Sequence, residues 1–151
     1  MFVLFSGCLS PSNRTAGSNS SQVNTSEDGK IAIKGLNFFT EVPRAMEQAR
    51  VEGKPVFVYA RSEYCGSCKK FEAETFTNQR VIKTMNEKFV LLSIDVDKQK
   101  TDVRNFRLHV TPTAIFLDKN GIEINRMLGY RDTGTFQSIL DEIIKSNEAK
   151  S

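Results

Sequence analysis

The 151-residue sequence has no tryptophan, a single histidine and only three cysteines. Without tryptophan it lacks one common aromatic surface anchor. With His109 alone and no second cysteine pair, it has few ligands for a zinc site. No apolar stretch approaches the roughly 20 residues that span a bilayer, so any membrane attachment must come from a lipid or from an upstream helix. An excess of one charge is also missing. The 21 basic and 18 acidic residues leave a net +3, interspersed from Val42 onward, which gives no basic face for nucleic acid. Three cysteines cannot all pair within one chain, so at least one has another role.

What is present suits one folded domain and a tail. Hydrophobic residues make up 39% of the chain, 11 Phe among them, enough for a compact core. The first eight residues run Met-Phe-Val-Leu-Phe-Ser-Gly-Cys, a short apolar stretch ending at Cys8. That order resembles the lipobox of secreted lipoproteins, which implies lipidation of Cys8 and a membrane tether outside the cytoplasm. The other reading is a leader with an incidental cysteine. Residues 9–30 are rich in Ser, Asn, Thr and Gly and nearly free of aliphatics, so they are expected to form a flexible linker. Asn13, Asn19 and Asn24 each begin an Asn-x-Ser/Thr sequon, although such a composition also produces sequons by chance.

Residues 31–151 read as an α/β domain. A helix is expected over Pro43–Glu52, with Pro near its start, Gly53 beyond its end and a stripe of Ala45, Met46 and Ala49. Val56–Tyr59 reads as a buried strand. Cys68, Phe71, Glu72, Thr75 and Phe76 recur at helical spacing, and a second helix follows through Val81, Met85 and Phe89. Val90–Val96 is another apolar strand, and Thr101 is the expected cap of a helix carrying Val103 and Phe106. Thr113–Leu117 and Ile122–Arg126 flank an Asp118–Gly121 turn as an antiparallel hairpin. A last helix buries Phe136, Ile139, Leu140 and Ile143. This order implies a mixed sheet covered by helices on both faces, with an additional N-terminal helix.

Chemistry concentrates at Cys65-Gly66-Ser67-Cys68, between a buried strand and a helix start. Two cysteines at this spacing can close a small disulfide if the chain turns between them, a turn that Gly66 eases. At a helix N-terminus the thiolate of Cys65 is stabilised by unpaired N–H groups, which makes it the attacking sulfur; Cys68, one turn inside, resolves. The same spacing also supplies half of many zinc sites, and a purely structural disulfide is a further reading. His109, remote in sequence, reads as a structural or surface residue.

The stretch Val56–Cys68 resembles the strand-loop-helix active site of the thioredoxin superfamily, over about residues 36–146. Thr111-Pro112-Thr113 is similar to the segment in which that family places a cis-proline against the cysteine pair. The resemblance implies a thioredoxin fold and a thiol-disulfide oxidoreductase, without a cofactor and acting as a monomer. It assigns Thr111 to backbone pairing with a substrate peptide, and Tyr64, Pro112, Gly129 and Tyr130, with Gly66 and Ser67, to the substrate surface around Cys65. Within the superfamily, Cys65–Glu72 and Glu74-Thr75-Phe76 resemble the secreted reductases of the DsbD C-terminal-domain type. That implies protein disulfides as substrates and an upstream thiol as electron donor.

Two positions depart from the family pattern. Tyr64 stands for the usual Trp before the first cysteine, and Tyr59 replaces the buried Asp that serves as proton acceptor. Glu72, one turn from Cys68 on the same helical face, becomes the acid–base candidate, against its reading as an ordinary solvated glutamate. Lys69 and Lys70 cover the helix surface, where a lysine near the pair also favours the thiolate. An oxidase or isomerase uses the same residues in reverse, and a binding module with structural cysteines is the alternative of another class.

Overall fold

The computed structural model describes residues 29–151; Cys8, the three sequons and nearly all of the expected linker lie outside them. The chain opens with a hairpin that the sequence reading did not contain, β1 (Lys30–Ile33) and β2 (Leu36–Phe39). Lys34 and Gly35 turn it with φ of 51° and 85°, so Ile33 pairs directly with Leu36. Lys30, read as the end of the linker, is the first residue of β1.

The remaining elements are α1 (Val42–Glu52), β3 (Val56–Arg61), α2 (Gly66–Glu74), α3 (Gln79–Lys88), β4 (Val90–Asp95), α4 (Lys100–Asn105), β5 (Thr113–Leu117), β6 (Glu123–Leu128) and α5 (Thr133–Glu148). Each expected helix is present, with shifted ends. Thr101 is not the cap of α4 but lies inside it, and Gln99 occupies the cap position. Gln99 instead accepts from Asp95 N and donates to Thr40 O and Asp102, so its side chain organises the turn and draws the helix start back. Ile122 is exposed in the turn, and β6 begins one residue later.

The six strands form one sheet in the order β1-β2-β4-β3-β5-β6. β3 and β4 are parallel, and β5 and β6 are antiparallel to their neighbours. The sheet is therefore mixed, and strand alternation divides its core in two. Phe57 and Tyr59 face α2, α3 and α5, where they meet Phe38, Phe71, Phe76, Phe116 and Phe136. Val56, Val58 and Ala60 face the other way, against Ala45 and Ala49 of α1 and Leu108. The aromatic side is dense: Tyr59 meets both Phe71 and Phe76 edge to face, with ring centroids 6.0 and 5.1 Å apart. This layer carries α2, and α2 carries the cysteines.

Candidate active site

After β3 the chain needs three residues to reach Cys65, and Ser62 fixes their path. Its hydroxyl donates to Asp97 Oδ2 at 2.6 Å and accepts from Tyr64 N at 3.2 Å, while its carbonyl accepts from Cys65 N. Cys65 is the N-cap of α2, and its Sγ accepts from the backbone N–H of Cys68 at 3.1 Å. The two cysteines form a disulfide with Cα atoms 5.2 Å apart. Cys65 is half-buried and Cys68 completely buried, so one sulfur of the pair is presented outward and the other is kept behind it. Gly66 lacks a left-handed φ, and a Cβ there would meet open space, so the turn does not require glycine. Ser67 is exposed beside it.

Glu72 is not a solvated helix glutamate, because it is 8% exposed and turned toward the sheet. Its Oε1 accepts from the Tyr59 hydroxyl at 3.1 Å and from Arg61 Nε at 2.7 Å. The Tyr59 hydroxyl also lies 3.5 Å from the carbonyl of Cys68. Burial, and next the Glu72 carboxylate beside it, pushes the Tyr59 hydroxyl far above the ordinary tyrosine range, so it stays a donor. Burial works against the Arg61 charge, but the hydrogen bond and charge of Glu72 outweigh it and hold the guanidinium up. Arg61 was not singled out by the sequence reading. The available signal was strand parity, since residues 59 and 61 share a face and an arginine there must meet α2. Arg61 and Glu72 also line a cleft of about 1000 Å³ with Ser93, Asp95 and the β1–β2 hairpin.

The Thr111–Pro112 peptide bond is cis. Pro112 is buried and Thr111 half-buried at the start of β5, and the Pro112 carbonyl accepts from Gly129 N at 2.8 Å. Tyr64 is 87% exposed, and Val110 and Leu128 are further exposed apolar side chains flanking this loop and the end of β6. Tyr130 is held against α2: its ring meets Phe71 edge to face, Lys70 lies over it at 4.6 Å, and its hydroxyl donates to Glu74. Lys70 therefore has a specific partner, while Lys69 is exposed. His109 is exposed in the loop before β5. Among the described residues no group of three or more His, Cys, Asp or Glu is arranged to hold a metal ion.

The chain is similar in sequence and in fold to known proteins. The thiol:disulfide interchange protein DsbD of Ralstonia nicotianae is 30% identical over 125 residues, 80% of this chain, and that of Yersinia pestis is 30% identical over 114 residues. The chain spans only about a fifth of the length of these relatives. A thioredoxin from Thermus thermophilus superposes with a TM-score of 0.64 at 27% identity, covering 72% of this chain and 87% of that one. The C-terminal domain of Neisseria meningitidis DsbD in its oxidised form superposes with a TM-score of 0.59 at 22% identity, over 70% of this chain and 97% of that domain. Residues 42–144 match the thioredoxin-like domain model, two thirds of the chain, and with that match and the fold the chain belongs to the thioredoxin-like domain family.

Proposed function

We propose that the protein reduces disulfides of proteins outside the cytoplasm through a dithiol–disulfide cycle at Cys65 and Cys68. The observation that carries this reading is the asymmetry of the pair: an outward sulfur at a helix N-terminus, and a buried one directly behind it. In the cycle the Cys65 thiolate attacks a partner disulfide, a mixed disulfide forms, and Cys68 attacks Cys65 to release the reduced partner. An upstream thiol then reduces the Cys65–Cys68 disulfide again. Tyr64, Thr111, Pro112 and Gly129, with Gly66 and Ser67, form the face that receives the substrate chain, and the exposed Val110 and Leu128 extend its apolar character. Tyr130, between β6 and α5, supports this face by packing against Phe71 and Lys70 of α2. Glu72 acts as the base for Cys68, supported by its burial beside Tyr59 and by its place one turn along the helix.

Two features support the extracytoplasmic setting, the likeness to DsbD proteins and the lipobox-like Cys8, which in this reading carries the lipid while the Ser/Asn/Thr-rich segment serves as tether. The test is reduction of insulin disulfides by dithiothreitol, which catalytic amounts of the full chain should accelerate. An unchanged rate overturns the enzymatic reading in favour of a binding module. Equilibration of the Cys65–Cys68 couple with glutathione decides direction: a couple more oxidising than the glutathione pool makes the protein an oxidase or isomerase.

A further inference from the structure

We propose that Arg61 is a positioning residue for the release step, fixing Glu72 through Oε1 so that Oε2 is left as the acceptor for the Cys68 proton. The inference rests on Glu72 being the base. Both donors that reach Glu72, the Tyr59 hydroxyl and Arg61 Nε, meet the same oxygen. Among the described residues no hydrogen bond reaches Oε2. The only side-chain polar atom there that is both fully buried and unpartnered is Gln137 Oε1, so Glu72 Oε2 keeps access to solvent. A carboxylate held this way has one oxygen committed and one available.

Arg61 suits the task. Its side chain is 19% exposed and that of Glu72 10%, so the pair is shielded enough for its geometry to persist. The planar guanidinium offers Nε in a fixed direction, which a lysine ammonium on its flexible stem does not. Tyr59 alone would leave the carboxylate free to rotate about one hydrogen bond. Around the pair stand Asp95, bridged by Lys98 at 3.1 Å, and Glu63, bridged by the same lysine at 3.5 Å. Lys34, Glu41 and Asp102 line the same cleft. None of these makes a hydrogen bond to Glu72.

In the step so organised, the Cys68 thiol gives its proton to Glu72 Oε2, directly or through one water. The thiolate attacks Cys65 Sγ of the mixed disulfide. The bond from Cys65 to the partner sulfur breaks, its electron pair leaves with the partner, and that thiolate takes a proton from solvent. The Cys65–Cys68 disulfide is formed and the partner is reduced.

The test uses the full chain carrying Cys8→Ser, with oxidised glutathione as partner, acid quenching and mass analysis of the glutathione adduct on Cys65. Arg61→Met is expected to slow adduct release by on the order of 10-fold, since the Glu72 carboxylate then loses the guanidinium that fixes its orientation. Arg61→Lys should recover part of the rate, which keeps the proposal testable even if Arg61→Met fails to fold. Added to Glu72→Gln, Arg61→Met should slow release no further. Parent-like release in Arg61→Met, or release in Arg61→Lys no faster than in Arg61→Met, while Glu72→Gln is slow, overturns the role of Arg61 and leaves Glu72 as base. So does a further slowing in the double variant. Parent-like release in Glu72→Gln removes the underlying reading, and this proposal with it.

Discussion

The backbone N–H of Cys68 points at the Sγ of Cys65 from 3.1 Å, so the residue that resolves also helps to hold the sulfur that attacks. The bond places Cys65 Sγ where the unpaired N–H groups of α2 converge, which favours a thiolate once the disulfide is opened. Cys68→Ser keeps that N–H and the attacking sulfur but removes the resolving thiol. It is expected to accumulate mixed disulfides through Cys65, recoverable by affinity capture under non-reducing conditions. Cys65→Ser should capture far less, and equal capture by the two variants would reverse the assignment of attacker and resolver.

Glu72→Gln preserves shape but removes the carboxylate. Release of a mixed disulfide should slow by on the order of 10-fold or more, within the usual worth of general acid–base catalysis, while the first attack by Cys65 changes little. Stopped-flow measurement of the two steps across pH separates them. An unchanged release rate and pH profile would assign Glu72 to binding Tyr59 and Arg61 only.

Tyr59 gives a stability prediction. Its hydroxyl is held protonated in the folded chain, whereas in the unfolded chain it ionises near pH 10. The folded state therefore binds more protons above that pH, and stability falls as pH rises from about 10, by at most about 1.4 kcal/mol per pH unit for this one group. Below that pH the contribution is fully present. Tyr59→Phe should cost about 1–3 kcal/mol at neutral pH through the lost hydrogen bond to Glu72, yet show a shallower loss above pH 10 in denaturant titrations. Parallel losses in the two proteins would remove Tyr59 as the source.

Deletion of residues 1–28 should leave insulin reduction intact, because the cysteine pair and its surroundings are built from residues 59–130. The cut must spare Gly29, whose carbonyl accepts from Thr40 N and its hydroxyl at 3.0 Å, and Lys30, which opens β1. A truncated chain with native circular dichroism but no activity would place the N-terminal segment in the cycle. Mass analysis of the full-length protein from its host membrane checks whether Cys8 carries lipid.

Much of this protein is fixed by local pattern. The run Val56–Tyr59, the helical recurrence of Cys68, Phe71 and Glu72 and the Asp118–Gly121 turn each follow from period, propensity or turn chemistry, and they were legible along the chain. The cysteine pair was legible for the same reason, being three residues apart on one turn. The β1–β2 hairpin was not, because two four-residue strands joined by Lys34-Gly35 carry a weak local signal and are held by pairing with β4, whose partner Leu92 is 53 residues from Phe39. The environment of Glu72 was likewise a tertiary matter. Spacing put it one turn from Cys68, but only the packing of α2 on β3 decided that it would be buried, that Tyr59 would meet it, and that Arg61 would supply the charge. A glutamate pattern on a helix is the same in water or in a core; the difference is made by what the sheet presents to it.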